Sequence, residues 1–154
     1  MKKQTVYLDM DGTVADLYNS NDWLKRLINE DTEIFKECKP LVTQEKLFEK
    51  YPQDKYDIKV LSMTPKGASK EYCENVIQQK NEWLDKYFPQ LQKRIYKKYG
   101  YNKNLKNSKN AILIDDNEKI RNNFKGLALA PNWAWTFYFL SIDFIIKRWY
   151  NDNG

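Results

Sequence analysis

Apolar residues fall along this chain in two rhythms, and each predicts a different element. Short β-prone runs mark strands at Thr5-Val6-Tyr7-Leu8, Ile58-Lys59-Val60-Leu61, Arg94-Ile95-Tyr96, Ile112-Leu113-Ile114 and Leu127-Ala128-Leu129-Ala130. Between them the spacing turns helical. From Asn21 to Tyr51, Trp23, Leu24, Leu27 and Ile28 share one face, as do Leu47, Phe48 and Tyr51, with Pro40 and Pro52 as punctuation and Thr43 placed to cap. A long helix is predicted from Ser69 to Phe88, carrying Tyr72, Cys73, Val76, Ile77, Trp83, Leu84 and Tyr87, with Pro89 as its stop. Asn117 can cap a short helix with Ile120 and Phe124, which Gly126 closes at the C′ position. A C-terminal helix carries Ile142, Ile145, Ile146 and Trp149.

Strands that alternate with helices predict an α/β fold, with a parallel sheet of about five strands and helices on both faces. At 154 residues, without repeats or a low-complexity linker, the chain reads as a single domain over 1–154. Ligands of such sheets sit at the carboxyl ends of the strands. Three of those ends carry polar chemistry: Asp9 and Asp11, Ser62, and Asp115 with Asp116.

Composition narrows that chemistry. The chain is 42% hydrophobic and 31% charged, enough to bury a core. It has no His, which excludes imidazole proton shuttles, His-activated nucleophiles and zinc sites built on imidazole. Its 5 Gly are too scattered for a phosphate-binding loop or a dinucleotide fingerprint. Acid–base work is left to carboxylates, Lys, Tyr or Cys. Cys38 and Cys73 lack metal-ligand spacing; a disulfide between them stays open, although two Cys fit a reducing cytosol, on apolar helical faces as small core residues. Asp9 arrives too soon for a signal peptide, and the apolar run from Trp133 to Ile146 is too short to span a bilayer, so the expectation is a soluble cytoplasmic protein with no membrane partner.

Net charge is +5, unevenly placed. Lys86 to Ile114 holds eight of the 26 basic residues and no acid, leaving 18 basic against 21 acidic residues elsewhere. Such a band suits an anionic partner, phosphate or nucleic acid; a solvated lysine-rich surface is the other reading. The C-terminal aromatics Trp133, Trp135, Phe137, Tyr138 and Phe139 are expected to pack on the sheet, with a leftover apolar face as a possible homodimer contact.

Four carboxylates at one sheet edge repel one another unless a cation joins them, and an all-oxygen set suits Mg²⁺. A carboxylate can attack phosphorus to form an aspartyl-phosphate. A second one two residues on can protonate the leaving alcohol and then deprotonate the attacking water. A hydroxyl at the next strand end and a Lys from a later loop can hold the remaining phosphate oxygens. The plainer readings are capping turns for the aspartates and a chain-turning serine.

The stretch Asp9-Met10-Asp11-Gly12-Thr13-Val14-Ala15-Asp16 resembles the first motif, DxDGTxxD, of the haloacid dehalogenase (HAD) superfamily of phosphohydrolases. Val60-Leu61-Ser62 is similar to that superfamily's second motif, and Ile112-Leu113-Ile114-Asp115-Asp116-Asn117 to its fourth. With Lys80-Asn81-Glu82-Trp83-Leu84 and Tyr87-Phe88-Pro89, the chain looks most like the 5′(3′)-deoxyribonucleotidase branch, and like its short bacterial and phage members.

The resemblance implies a HAD-like Rossmannoid three-layer fold with a small helical cap, residues 16–56, inserted after the first strand. It implies Asp9 as nucleophile and Mg²⁺ ligand, and Asp11 mainly as general acid/base with a lesser claim as ligand. Met10 would offer its backbone carbonyl to the metal, Asp115 a carboxylate, and Asp116 would hold a metal-bound water or orient neighbouring groups. Ser62, Met63 and Thr64 would bind phosphate, with Lys66 a further candidate. The third-motif lysine would be Lys103, twelve residues before Asp115, with Lys106 second and Lys109 behind it. Tyr18, Trp23 and Phe35 would stack on a base or fill the cap. The implied activity is Mg²⁺-dependent hydrolysis of deoxynucleoside monophosphates; the alternatives are a phosphatase of nucleic-acid ends or another small phosphomonoester, and a silent binding protein.

Overall fold

The computed structural model describes residues 2–136 and 142–153. Its centre is strand β1 (Gln4–Leu8), flanked by β2 (Tyr56–Met63) and β4 (Ile112–Ile114), with β3 (Arg94–Lys97) and β5 (Leu127–Leu129) outermost. All pairings are parallel and the order is β3-β2-β1-β4-β5. The chain thus builds outward from β1 through β2 to β3, then crosses back to lay β4 and β5 on the other side. The reversal leaves a crevice between the carboxyl ends of β1 and β4, where open α/β sheets take ligands. This is the Rossmann-like α/β arrangement expected from the alternating strands and helices.

Strand side chains alternate between two cores. Val6, Leu8, Ile58, Val60, Ile112 and Ile114 point to the larger one, which Val76, Trp83 and Leu84 complete from α4 (Lys70–Tyr87). Tyr7, Leu61, Ala111 and Leu113 point to the other, closed by Phe124, by Leu105 of the loop after β3 and by Ile120 of α5 (Glu118–Asn123). Cover on this second face is incomplete. Beside Thr5 and Tyr7 it opens into a groove lined by Lys2, Lys3, Lys55, Lys59, Lys93, Lys106 and Lys147, at the amino ends of β1 and β2.

The caps behave as their side chains dictate. Ser69 Oγ accepts from Tyr72 N–H at 3.1 Å, Thr43 Oγ1 from Lys46 N–H at 3.2 Å, and Asn117 Oδ1 from Ile120 N–H at 3.2 Å, each satisfying a helix-terminal donor. Gly126 differs from expectation. Helix α5 ends at Asn123 and Gly126 lies past its C′ position. A Cβ there would collide with the backbone oxygens of Ala111 and Ser108, so close backbone approach, and not a left-handed cap, demands glycine.

The helical region after β1 resolves into three short helices, α1 (Trp23–Ile28), α2 (Ile34–Glu37) and α3 (Gln44–Lys50). They form an insert strapped to the loop after β1: Asp16 N–H donates to Lys39 O at 2.8 Å, and Leu41 N–H to Val14 O at 2.8 Å. The apolar face of α1 does not seal into the core. Leu24 and Ile28 are 56% and 71% exposed and line a cleft with Trp23 and Leu27. Phe35 is buried while Trp23 packs half-buried against the core.

Near the C-terminus, α6 (Pro131–Thr136) precedes α7 (Ile142–Asn153). Trp135 is buried edge-on against Tyr51, but Trp133 is 54% exposed; Phe137, Tyr138 and Phe139 lie outside the described residues. Cys38 is buried and Cys73 half-buried, and both are free thiols. Among the described residues, no helix is long and apolar enough to cross a membrane.

Candidate active site

The sheet ladder itself places the first two acids. Asp9 N–H donates to Ile114 O of β4 at 2.9 Å, and Asp115 N–H to Leu129 O of β5 at 3.1 Å, so both residues extend their strands into the crevice. After Asp9 the chain turns back on itself. Gly12 adopts φ +77°, and a side chain there would run into the Asp116 carboxylate and the Tyr18 ring.

Lys103 Nζ donates to Asp9 Oδ1 at 2.8 Å, to Asp115 Oδ2 at 2.7 Å and to Leu61 O at 3.1 Å. Thr13 Oγ1 donates to Asp9 Oδ2 at 3.0 Å and accepts from Asp116 N–H at 3.2 Å, joining the loop after β1 to the turn after β4. Asn117 N–H donates to Asp115 Oδ1 at 2.9 Å. Carboxylate oxygens of Asp9, Asp115 and Asp116 lie within 4.8 Å of one another. Asp11 stands apart from that trio, its Oδ2 accepting from Lys80 Nζ at 2.7 Å.

The other expected site residues divide. Met63, Thr64 and Lys66 line the cleft of about 390 Å³ that opens over Asp9, Asp11, Asp115 and Asp116. Ser62 is fully buried and its Oγ accepts from Lys80 at 2.8 Å. Lys106 lines the lysine groove at the amino ends of the strands, and Lys109 is exposed. The Met10 carbonyl is engaged within its own turn. It accepts from the N–H groups of Thr13, Val14 and Ala15 at 3.0 to 3.1 Å. Two residues quoted above only as parts of motifs, with no role given, also reach the site: Lys80 and Thr13. Lys80 stands four residues from both Val76 and Leu84, so a lysine in the middle of an apolar helical stripe was the available signal.

The charges are strained. Burial first, then the Asp9 charge, push the Asp115 carboxyl up to about 6 against the pull of Lys103, and the same two causes push Asp116 up to about 8. Burial also raises Asp11, with Lys80 opposing it. For Lys103 burial would favour the neutral amine, but the charges of Asp9 and Asp115 outweigh it and hold the ammonium above its usual range.

No protein-family model matches the chain, and no curated protein matches it. The chemistry of the site therefore rests on its own atoms. Three carboxylates against one lysine leave a surplus of negative charge among hard oxygen donors, a set that fits a hard dication.

A pH effect follows from the raised carboxyls. A carboxyl whose pKa is higher in the folded chain keeps its proton until the pH passes that value, and a cation must displace it. A dication taken up by these carboxylates is expected to bind more tightly as pH rises from about 6 to about 8. Calorimetric titration with Mg²⁺ at both ends of that range checks this, with proton release on binding as the second readout. Equal affinity and no released proton would contradict it.

Proposed function

We propose that this chain is a Mg²⁺-dependent phosphomonoesterase of the HAD type, hydrolysing deoxynucleoside monophosphates through an aspartyl-phosphate on Asp9. One observation carries the reading: Asp9 lies in the crevice between β1 and β4 with a lysine ammonium 2.8 Å from one oxygen and two further carboxylates within 4.8 Å.

Asp9 attacks phosphorus with one carboxylate oxygen, forming the O–P bond as the ester bond breaks. Asp11 gives its proton to the departing alkoxide, and burial, with Lys80 opposing it, raises its pKa toward the acid form this step needs. Lys103 sets a fixed positive charge against the phosphoryl oxygens. Thr13 holds the second Asp9 oxygen and the turn carrying Asp116. Asp11 then takes a proton from water, which cleaves the acyl phosphate and restores Asp9. Asp9, Asp115 and Asp116 would hold the Mg²⁺, whose charge neutralises the phosphate as it approaches.

Support for a nucleoside as the leaving group comes from the cleft walls. Tyr18, Trp23, Leu24 and Leu27 before β2, and Tyr99 and Ile120 from later in the chain, line the same cleft as the carboxylates, giving a base apolar surface beside the phosphate site. The test is phosphate release from a panel of deoxy- and ribonucleoside monophosphates, with Mg²⁺ and with EDTA. Metal-dependent release from one or more deoxynucleotides is expected. A panel inert with Mg²⁺ present would overturn the nucleotidase reading; release from 3′-phosphorylated oligonucleotides instead would move the substrate to nucleic-acid ends.

A further inference from the structure

Lys80 is fully buried, and its three donations converge on the site: Asp11 Oδ2 at 2.7 Å, Ser62 Oγ at 2.8 Å and Met63 O at 2.8 Å. Its ammonium also sits 4.7 Å from the centre of the Phe35 ring, on helix α2 of the insert. A buried lysine is a poor device for stability, since apolar side chains of similar volume usually serve as well. Its place on the longest helix among the described residues, beside Gln79, makes it a rigid one. Gln79 Oε1 accepts from Phe35 N–H at 2.9 Å, and its Nε2 donates to Asp31 O at 3.2 Å, locking that turn of α4 to the insert.

The Asp11 carboxylate is asymmetric as a result. Oδ2 is held by Lys80, whereas Oδ1 is buried with no hydrogen-bond partner. A buried carboxylate oxygen without a partner is costly to keep and calls for an explanation.

We propose that Lys80 is a positioning residue that pins Asp11 through Oδ2 and so fixes the carboxyl from which the leaving oxygen takes its proton. The inference rests on the phosphatase reading above. As Asp9 bonds to phosphorus and the P–O bond breaks, the proton passes from the Asp11 carboxyl to the departing alkoxide. Lys80 keeps its own protons and touches neither substrate nor metal.

A leaving group that needs no proton provides the test. Nitrophenolate departs unaided, whereas a nucleoside alkoxide does not, and kcat/KM reports the steps up to departure. For Lys80→Met, kcat/KM on a deoxynucleoside monophosphate is expected to fall about a hundredfold, and on nitrophenyl phosphate less than about fivefold. In an Asp11→Asn background the same substitution should cost less than about threefold, because the residue it acts through is already disabled. Lys80→Gln, which retains a donor in the buried position, carries the same comparison should Lys80→Met fail to fold. Equal losses on both substrates, or an undiminished loss in the Asp11→Asn background, would overturn the role. Wild-type protein inert on both substrates would instead sink the phosphatase reading, and this inference with it.

Discussion

Replacing Asp9 by Asn is expected to abolish phosphate release, by at least about 10⁴-fold, while leaving the fold in place. The carboxamide nitrogen is no nucleophile, and the remaining oxygen carries no charge with which to attack phosphorus. Position 9 is nevertheless well supported without that charge. Its N–H stays in the ladder with Ile114 O, and Asn can turn its Oδ1 to accept from Lys103 while its Nδ2 donates to Thr13 Oγ1. Circular dichroism and thermal melting of Asp9→Asn should therefore match wild type within a few degrees. Turnover near the wild-type rate would remove Asp9 as nucleophile, and with it the aspartyl-phosphate.

Lys103→Met is expected to cost both stability and turnover. The ammonium is 3% exposed and bonds Asp9 and Asp115, so its loss leaves buried carboxylates facing one another with no cation between them. Breaking a buried pair from one side costs about 3–5 kcal/mol. The sign of its pH dependence is set by the carboxyls. Asp115 and Asp116 already titrate above their usual range, so rising pH forces charge onto them in the folded chain after the unfolded chain has ionised. The deficit of Lys103→Met relative to wild type should therefore widen from pH 5 to pH 8, and Mg²⁺ should return part of it by supplying the missing positive charge. Urea unfolding at the two pH values, with and without Mg²⁺, reads both effects. A deficit that is flat with pH would show that the carboxylates are not what Lys103 holds together.

The motif arithmetic left Lys103, Lys106 and Lys109 as rivals, for a physical reason. They share one polar loop, where neither apolar rhythm nor charge separates them. Folding sends Lys103 inward to the carboxylates and Lys106 to the groove at the far ends of the strands, and only the path of the loop makes that difference. Helix α1 taught a similar lesson. Its apolar stripe is plain in the sequence, but a stripe does not say whether core or cleft will face it, and here Leu24 and Ile28 face the cleft. Gly126 was assigned to a helix cap by its distance from Phe124, when the crowding comes from backbone more than a dozen residues earlier in the chain.

What the sequence determined by itself was the alternation of strands and helices, and with it the parallel sheet and the edge at which Asp9, Asp11, Ser62 and Asp115 gather. That much is local. Apolar runs and helical spacing decide each element, and parallel strands must send all their carboxyl ends to one side. Only the tertiary structure decided the order β3-β2-β1-β4-β5, the capture of the Asp9 and Asp115 carboxylates by Lys103, and the fixing of Asp11 by Lys80 from a helix 69 residues away in sequence. A lysine's partners are set by the charges its long stem can reach once the backbone is folded, and no spacing along the chain encodes that reach.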